Sequence, residues 1–298
     1  MSDKNSPMRG AEPPPTPEAA IDRRVDSLDA YRGFTMLAMI SAGLGTAALM
    51  KDPTWGWFAY QLEHVTWEGC TPWDMIQPSF MFIVGAAMPF AFAKRQEKGD
   101  TWGRQLGHAA VRALKLFAVG AMLDIYSNQK LEFGFIRVLQ QIAFAYFVAF
   151  LTLRWNPVLQ LTAALGLLAA HTLAFQSFTP TQPGPPYPEK LPEVWSAYAP
   201  HWMPRANFGS WFDEATIGIN NKGGYSNFNA ISSTATIIFG VVIGRLLGSR
   251  ASTAVRVSVL LAATAVGLGV GFWLAGRFGE LPAPLETIPS VKRLWTAS

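Results

Sequence analysis

The chain has little of what most catalytic centres are made from. Its 298 residues include one cysteine, Cys70, and four histidines. One cysteine excludes an intramolecular disulfide and a cysteine-rich metal centre. His64, His108, His171 and His201 are too scattered along the chain to predict a ligand set, so no metal site is expected. Charge is scarce too, at 15% of residues, where a soluble domain carries about a quarter. The net charge of +4 needs no nucleic acid to explain it, because lysine and arginine in cytoplasmic loops give membrane proteins a basic balance. No internal repeat is visible. Residues 1–24, with Glu12-Pro13-Pro14-Pro15-Thr16-Pro17, lack an apolar core and read as a disordered cytoplasmic tail, not a secretory signal.

What the chain has is apolar length. Half of its residues are hydrophobic and its mean hydropathy is positive. They cluster in runs close to the length of a bilayer crossing. The alternative, a large soluble helical domain, predicts a polar face every 3.6 residues. The reading is an all-α polytopic transmembrane bundle of about seven helices, one domain over 25–298. Crossings are expected at about 33–50, 77–93, 106–123, 138–153, 158–175, 231–247 and 255–274. Asp26 or Ser27 caps the first, and Asp29 suits the positive end of its dipole. Thr71 as N-cap, Pro72 at the first position and Asp74 at the third open the second. Gly240, Gly244 and Gly248, four apart, allow the sixth to pack closely.

The distribution of lysine and arginine sets the orientation. An N-terminus inside keeps Lys94, Arg95, Lys98, Arg104, Arg154, Arg245 and Arg250 in the cytoplasm and puts Lys51, Lys130, Arg137, Lys190, Arg205, Lys222 and Arg277 outside; the short loops favour it, and the terminal Lys292-Arg293 pair runs against it. The protein is then integral to the inner membrane. The loop around His64 and the long segment of about 176–229 share the extracytoplasmic side. That segment carries Trp195, Tyr198, Trp202, Trp211, Phe212 and Tyr225, which argue for an ordered cap over the bundle.

One stretch concentrates the chemistry. Leu62 to Pro78 holds His64, three carboxylates (Glu63, Glu68, Asp74), Trp67, Trp73 and Cys70 between two apolar runs. Cys70 is expected to be a small buried thiol, since no basic neighbour lowers its pKa.

These residues resemble a known family, the heparan-α-glucosaminide N-acetyltransferase-like membrane acyltransferases. Ser27-Leu28-Asp29-Ala30-Tyr31-Arg32-Gly33 is similar to its S-L-D-x-[FY]-R-G opening, and His64 to Gly69 to its H-x-x-W-x-G. Asp74, Pro78 and Phe80 to Gly85 follow its D-x-x-x-P-x-F-x-F-x-x-G. Leu139-Gln140-Gln141-Ile142-Ala143 resembles L-Q-R-I-A with glutamine for arginine, and Thr234 to Gly244 resembles its A-T-x-x-F-G-x-x-x-G helix. Lys292-Arg293-Leu294-Trp295-Thr296 resembles K-[KR]-x-W-[TS]. The resemblance implies transfer of an acetyl or acyl group from acyl-CoA, supplied from the cytosol, to an amino sugar or glycan on the other face. It implies His64 as the active histidine. Ser41 stands where the family has an asparagine, and its hydroxyl has a shorter reach and no paired amide donor and acceptor. The family's helices beyond the K-[KR]-x-W element have no counterpart, so a short or partial form is expected.

Acyl transfer to an amine requires loss of a proton and stabilisation of an oxyanion. With an ordinary pKa of about 6.5, His64 suits a base in a ternary complex or a nucleophile through an acyl-imidazole. Asp74 orients it through the second ring nitrogen, caps a helix, or both. The candidate catalytic residues are therefore His64, Asp74 and Ser41. Trp67, Glu68, Trp73 and Asn227 are candidates for binding the sugar, against the reading of the tryptophans as an interfacial belt. Asp29, Arg32 and Gln140 are candidates for the acyl-CoA site. A charged pair at the edge of a crossing is either paired or functional. Expected partners are the lipid bilayer, acyl-CoA as co-substrate with no tightly bound cofactor, the glycan acceptor and a homodimer. Two other functions remain open: a transporter of free or lipid-linked sugar, and a non-catalytic glycan-binding bundle.

Overall fold

A computed structural model of the chain describes residues 25–128, 134–179, 200–218, 223–276 and 288. Among these residues every regular element is helical. In chain order they are α1 (Asp26–Ile40), a 3-10 helix (Ala42–Leu49), α2 (Gly56–Gln61), α3 (Ile76–Glu97), α4 (Trp102–Asn128) and α5 (Val138–Leu151). There follow α6 (Pro157–Gln176), a 3-10 turn (Pro200–Trp202), α7 (Phe208–Ile217), α8 (Asn229–Gly248) and α9 (Thr253–Leu274). The expected tail 1–24, part of the aromatic loop (180–199, with Trp195 and Tyr198, and 219–222) and the element Val291–Ser298 lie outside the described residues.

Among the described residues five helices are long and apolar enough to cross a membrane: α3, α4, α6, α8 and α9. α5 is apolar but has only 14 residues. The single first crossing expected at 33–50 is replaced by two pieces. α1 stops at Ile40, and Leu44 and Gly45 then adopt left-handed backbone, at φ of 56° and 71°, which a continuous α-helix does not allow. Its start differs too. Val25 is the N-cap with no side-chain bond, so Asp26 and Asp29 act as first-turn charges at the positive dipole end instead of as caps.

The centre of the bundle is the α3–α8 crossing. A Cβ on Gly85 would strike the Ile237 carbonyl, and one on Gly240 or Gly244 the Phe82 or Ala86 carbonyl. Only glycine lets the two backbones approach this closely, as in helix pairs that associate within lipid. α5 and α6 flank α8, and α4 lies on α5. Ile142, Ala145, Tyr146 and Ala149 of α5 join Met81 and Met88 of α3 and Ile237 and Val241 of α8 in one apolar core. Outside it, large apolar side chains face outward on α1, α4, α6 and α9, among them Phe34, Ile40, Leu114, Leu165 and Leu261. A surface so apolar is suited to lipid rather than water.

Candidate active site at the His64 loop

The loop joining α2 to α3 is built around one carboxylate. Asp74 is buried, and its Oδ1 lies 2.8 Å from Nδ1 of His64. Its Oδ2 accepts from the Thr71 backbone N–H at 3.1 Å and the Val65 N–H at 3.3 Å, and the Thr71 hydroxyl, whose one proton is shared with a second acceptor, stands 3.1 Å away. The Thr71 hydroxyl also donates to the Glu63 carbonyl at 2.7 Å, which ties the two ends of the loop together. The Asp74 side chain on the Thr71 N–H makes one half of a capping box; the Asp74 N–H donates to the Thr71 backbone carbonyl at 2.9 Å instead of to its hydroxyl, and the pair closes a turn ahead of the helix. The expectation that Thr71 caps the second crossing is corrected accordingly: α3 begins at Ile76, with Met75 as its N-cap. The sequence signal was sound for a turn, and the chain spends one more turn before the helix.

His64 itself is open, with its side chain 56% exposed against 1% for Asp74. When Nδ1 donates to the carboxylate, Nε2 presents its lone pair to the surface. Glu68 is exposed and Trp73 half-buried in the same loop. Cys70 is exposed, which corrects the expected buried thiol: the turn that carries the carboxylate network leaves this side chain on the outside.

Trp67 lies on the loop's inner side, 4% exposed. Its indole N–H donates to the Trp202 carbonyl at 3.0 Å. Around it pack Phe175 and Trp202, stacked with centroids 4.8 Å apart, together with Phe208 and Phe228. These aromatics come from the end of α6, from α7 and from the segments beside it, which together form a cap over the loop. Within the cap, Asp213 of α7 is buried and accepts the Asn227 backbone N–H at 2.9 Å. Burial pushes the Asp213 carboxyl up from 3.8 to about 6, against the opposing hydrogen bonds from Asn227 and Ser226. The Asn227 side chain accepts from the Phe135 backbone N–H, and its own amide nitrogen is buried without a protein partner.

The remaining candidates are spread over the bundle. Ser41 ends α1 and its hydroxyl donates back to the Ala38 carbonyl at 2.8 Å. Asp29 and Arg32 pair at 3.4 Å and line a cavity of about 530 Å³ among α1, α3, α4 and α5. Phe80, Val84 and Met88 of α3 form its apolar wall, and Lys94, Glu97, Arg112 and Tyr146 complete its polar rim. Arg112 lies over the Tyr146 ring at 5.1 Å. The cavity's lining on α3 runs from Phe80 to Glu97, with the charged residues at the C-terminal end, away in sequence from His64. Gln140 belongs to neither place: it is buried against Gly120 of α4.

Sequence reasoning missed Thr71 as a ligand of the carboxylate; it marked Asp213 only as a hydrogen-bonding residue of the long loop, not as a buried carboxyl. It also missed a buried polar group below the loop, where the Gln141 carbonyl oxygen accepts from Gln77 at 2.7 Å and from Ser233 at 3.4 Å. Three polar side chains on three apolar helices are a signal only once their meeting is known. Among the described residues no cluster of metal-ligating side chains occurs.

Comparison with known proteins gives a consistent answer. Residues 24–194 match the family described as heparan-alpha-glucosaminide N-acetyltransferase, catalytic. The chain is similar to the human protein heparan-alpha-glucosaminide N-acetyltransferase, at 26% identity over 151 residues, 49% of this chain and 21% of that protein. It is similar to the mouse protein of the same name, at 24% identity over 168 residues, 53% of this chain and 24% of that protein. The aligned part therefore covers about a quarter or less of the length of these curated relatives.

Proposed function

The chain belongs to the heparan-alpha-glucosaminide N-acetyltransferase catalytic family, and from that membership we propose a membrane-bound acetyltransferase in which His64 does the chemistry. The observation that carries this reading is the 2.8 Å pair between His64 Nδ1 and a buried Asp74, with the other edge of the ring open. The carboxylate fixes the tautomer in which Nε2 is the base or the nucleophile. As a base, Nε2 takes the proton of an acceptor amine as its nitrogen bonds to the thioester carbonyl carbon. The C–S bond then breaks, and the imidazolium returns its proton to the departing CoA sulfur. As a nucleophile, Nε2 bonds to the thioester carbon and the C–S bond breaks to release the CoA thiolate; the amine then attacks the acyl-imidazole, the bond to Nε2 breaks, and the amine proton passes to the thiolate or to water. Glu68 and Trp73, on the same open loop, are the acceptor contacts.

The donor is acyl-CoA. Three cations, Arg32, Lys94 and Arg112, against two anions, Asp29 and Glu97, give the cavity a positive balance suited to phosphates. From Lys94 to Gln77, α3 rises roughly 25 Å. An acyl arm running along Phe80 and Val84 would approach the His64 loop from the far side of the membrane. We read residues 25–298 as one membrane domain, with α1 and α5 also embedded to give about seven segments. By the positive-inside rule the N-terminus and the cavity are cytoplasmic, and His64 and the cap extracytoplasmic.

The test is release of CoA thiol from acetyl-CoA by the purified protein in nanodiscs, across a panel of amino sugars. Release should require the sugar, and His64→Ala should lower it by about 10²–10⁴-fold, the usual contribution of a positioned base. Undiminished release in a folded His64→Ala protein would remove His64 from the mechanism.

A further inference from the structure

His64 is held from two directions, and only one is the carboxylate. Three residues along the loop, Trp67 is buried against the cap, its N–H on the Trp202 carbonyl at 3.0 Å. The edge of its six-membered ring lies against Gly224, where an added Cβ would stand 2.7 Å from it. Gly224 has a left-handed φ of 75°, so the turn itself also selects glycine. Between the two anchors run Val65 and Thr66, and the Val65 N–H donates to the same Asp74 carboxylate that holds the imidazole. The cap is fastened in turn to the bundle by the chain from Asp213 through Asn227 to Phe135.

We propose that Trp67 is a positioning residue for His64: docked under the extracytoplasmic cap, it couples the cap's placement to the His64–Asp74 pair. It is not a stacking platform for the acceptor sugar, because its ring is covered by Gly224, Trp202 and their neighbours. These contacts tie the placement of the loop, and with it the imidazole, to the placement of the cap. This rests on the acyltransferase reading where turnover is concerned. The coupling of cap to loop rests on the contacts alone.

Two variants test it in the full chain. Trp67→Phe removes the N–H donor and the far ring edge while keeping an aromatic side chain. Gly224→Ala presses on that edge. Hydrogen exchange at the Val65 amide reports whether the loop still holds Asp74. Exchange should quicken about fivefold to tenfold in each single variant, the effect of losing one net hydrogen bond. Protection across α3 and α8 should stay unchanged and show an intact bundle. In the Trp67→Phe background Gly224→Ala should add less than it does alone. The strain of a side chain at left-handed φ is common to both backgrounds and cancels in the cycle. In the acyltransferase assay Trp67→Phe should lower kcat about tenfold and leave the acceptor KM within about twofold. Unchanged Val65 exchange, additive variants, or a raised acceptor KM at full kcat would each overturn the proposal. No turnover by the unaltered chain would defeat the acyltransferase reading instead, and the exchange experiment would still decide the coupling.

Discussion

In the proposed mechanism Asp74 takes Nδ1 of His64 and leaves Nε2 as the nitrogen that reacts. Asp74→Asn retains the volume but offers an N–H to Nδ1, which favours the opposite tautomer. We expect CoA release to fall about 10²-fold or more, with little change in KM for acetyl-CoA. Asp74→Ala should do further harm. It leaves the Thr71 and Val65 amides without their acceptor, at about 1–3 kcal/mol for each buried donor. Thermal unfolding in detergent separates the two effects, because the Asn variant should keep most of its stability.

Among the elements, α8 and α7 carry the sharpest expectations. Gly240→Leu or Gly244→Leu places a side chain against the Phe82 or Ala86 carbonyl. The helices must part, and the loss should reach the upper end of the roughly 1–3 kcal/mol typical of overpacking. Gly267 and Gly271 of α9 face open space, so the same change there should leave the melting temperature almost unmoved. In α7 the raised carboxyl of Asp213 gives the cap a pH dependence of definite sign. The folded state keeps its proton up to about 6, whereas the unfolded chain releases it near 3.8. Its contribution to stability is therefore full below 3.8 and is lost as pH rises through about 6. Tryptophan fluorescence melts should show a cap more stable near pH 4.5 than near pH 7, and Asp213→Asn should flatten that difference.

For the whole molecule, the side of the membrane on which His64 lies is open to a direct experiment, because the only cysteine reports on it. Cys70 is exposed and six residues from His64. A membrane-impermeant maleimide applied to intact cells should label it. Labelling only after the membrane is opened would place the loop in the cytoplasm and reverse the orientation drawn from lysine and arginine.

How far the sequence reached can be judged element by element. Apolar runs of bilayer length located α3, α4, α6, α8 and α9, because inside lipid a backbone must satisfy its own hydrogen bonds and a helix does so locally. The H-x-x-W-x-G and following aspartate marked the loop, and the four-residue glycine spacing marked the packed face of α8. What periodicity missed was the break after Ile40, where a left-handed pair interrupts an otherwise apolar run. Nor did composition tell α8 from α9: both are apolar throughout, yet most of α8 is buried and no residue of α9 is. By itself the sequence determined the helical class, the family and the candidate histidine, since these depend on local hydropathy and short motifs. Only the tertiary structure decided that Asp74 meets His64, that Trp67 lies beneath a cap drawn from residues 135 positions away, and that Asp29 and Arg32 share a cavity with Arg112. Each of these is a contact between distant segments, and such contacts are fixed by how the helices pack rather than by any one of them.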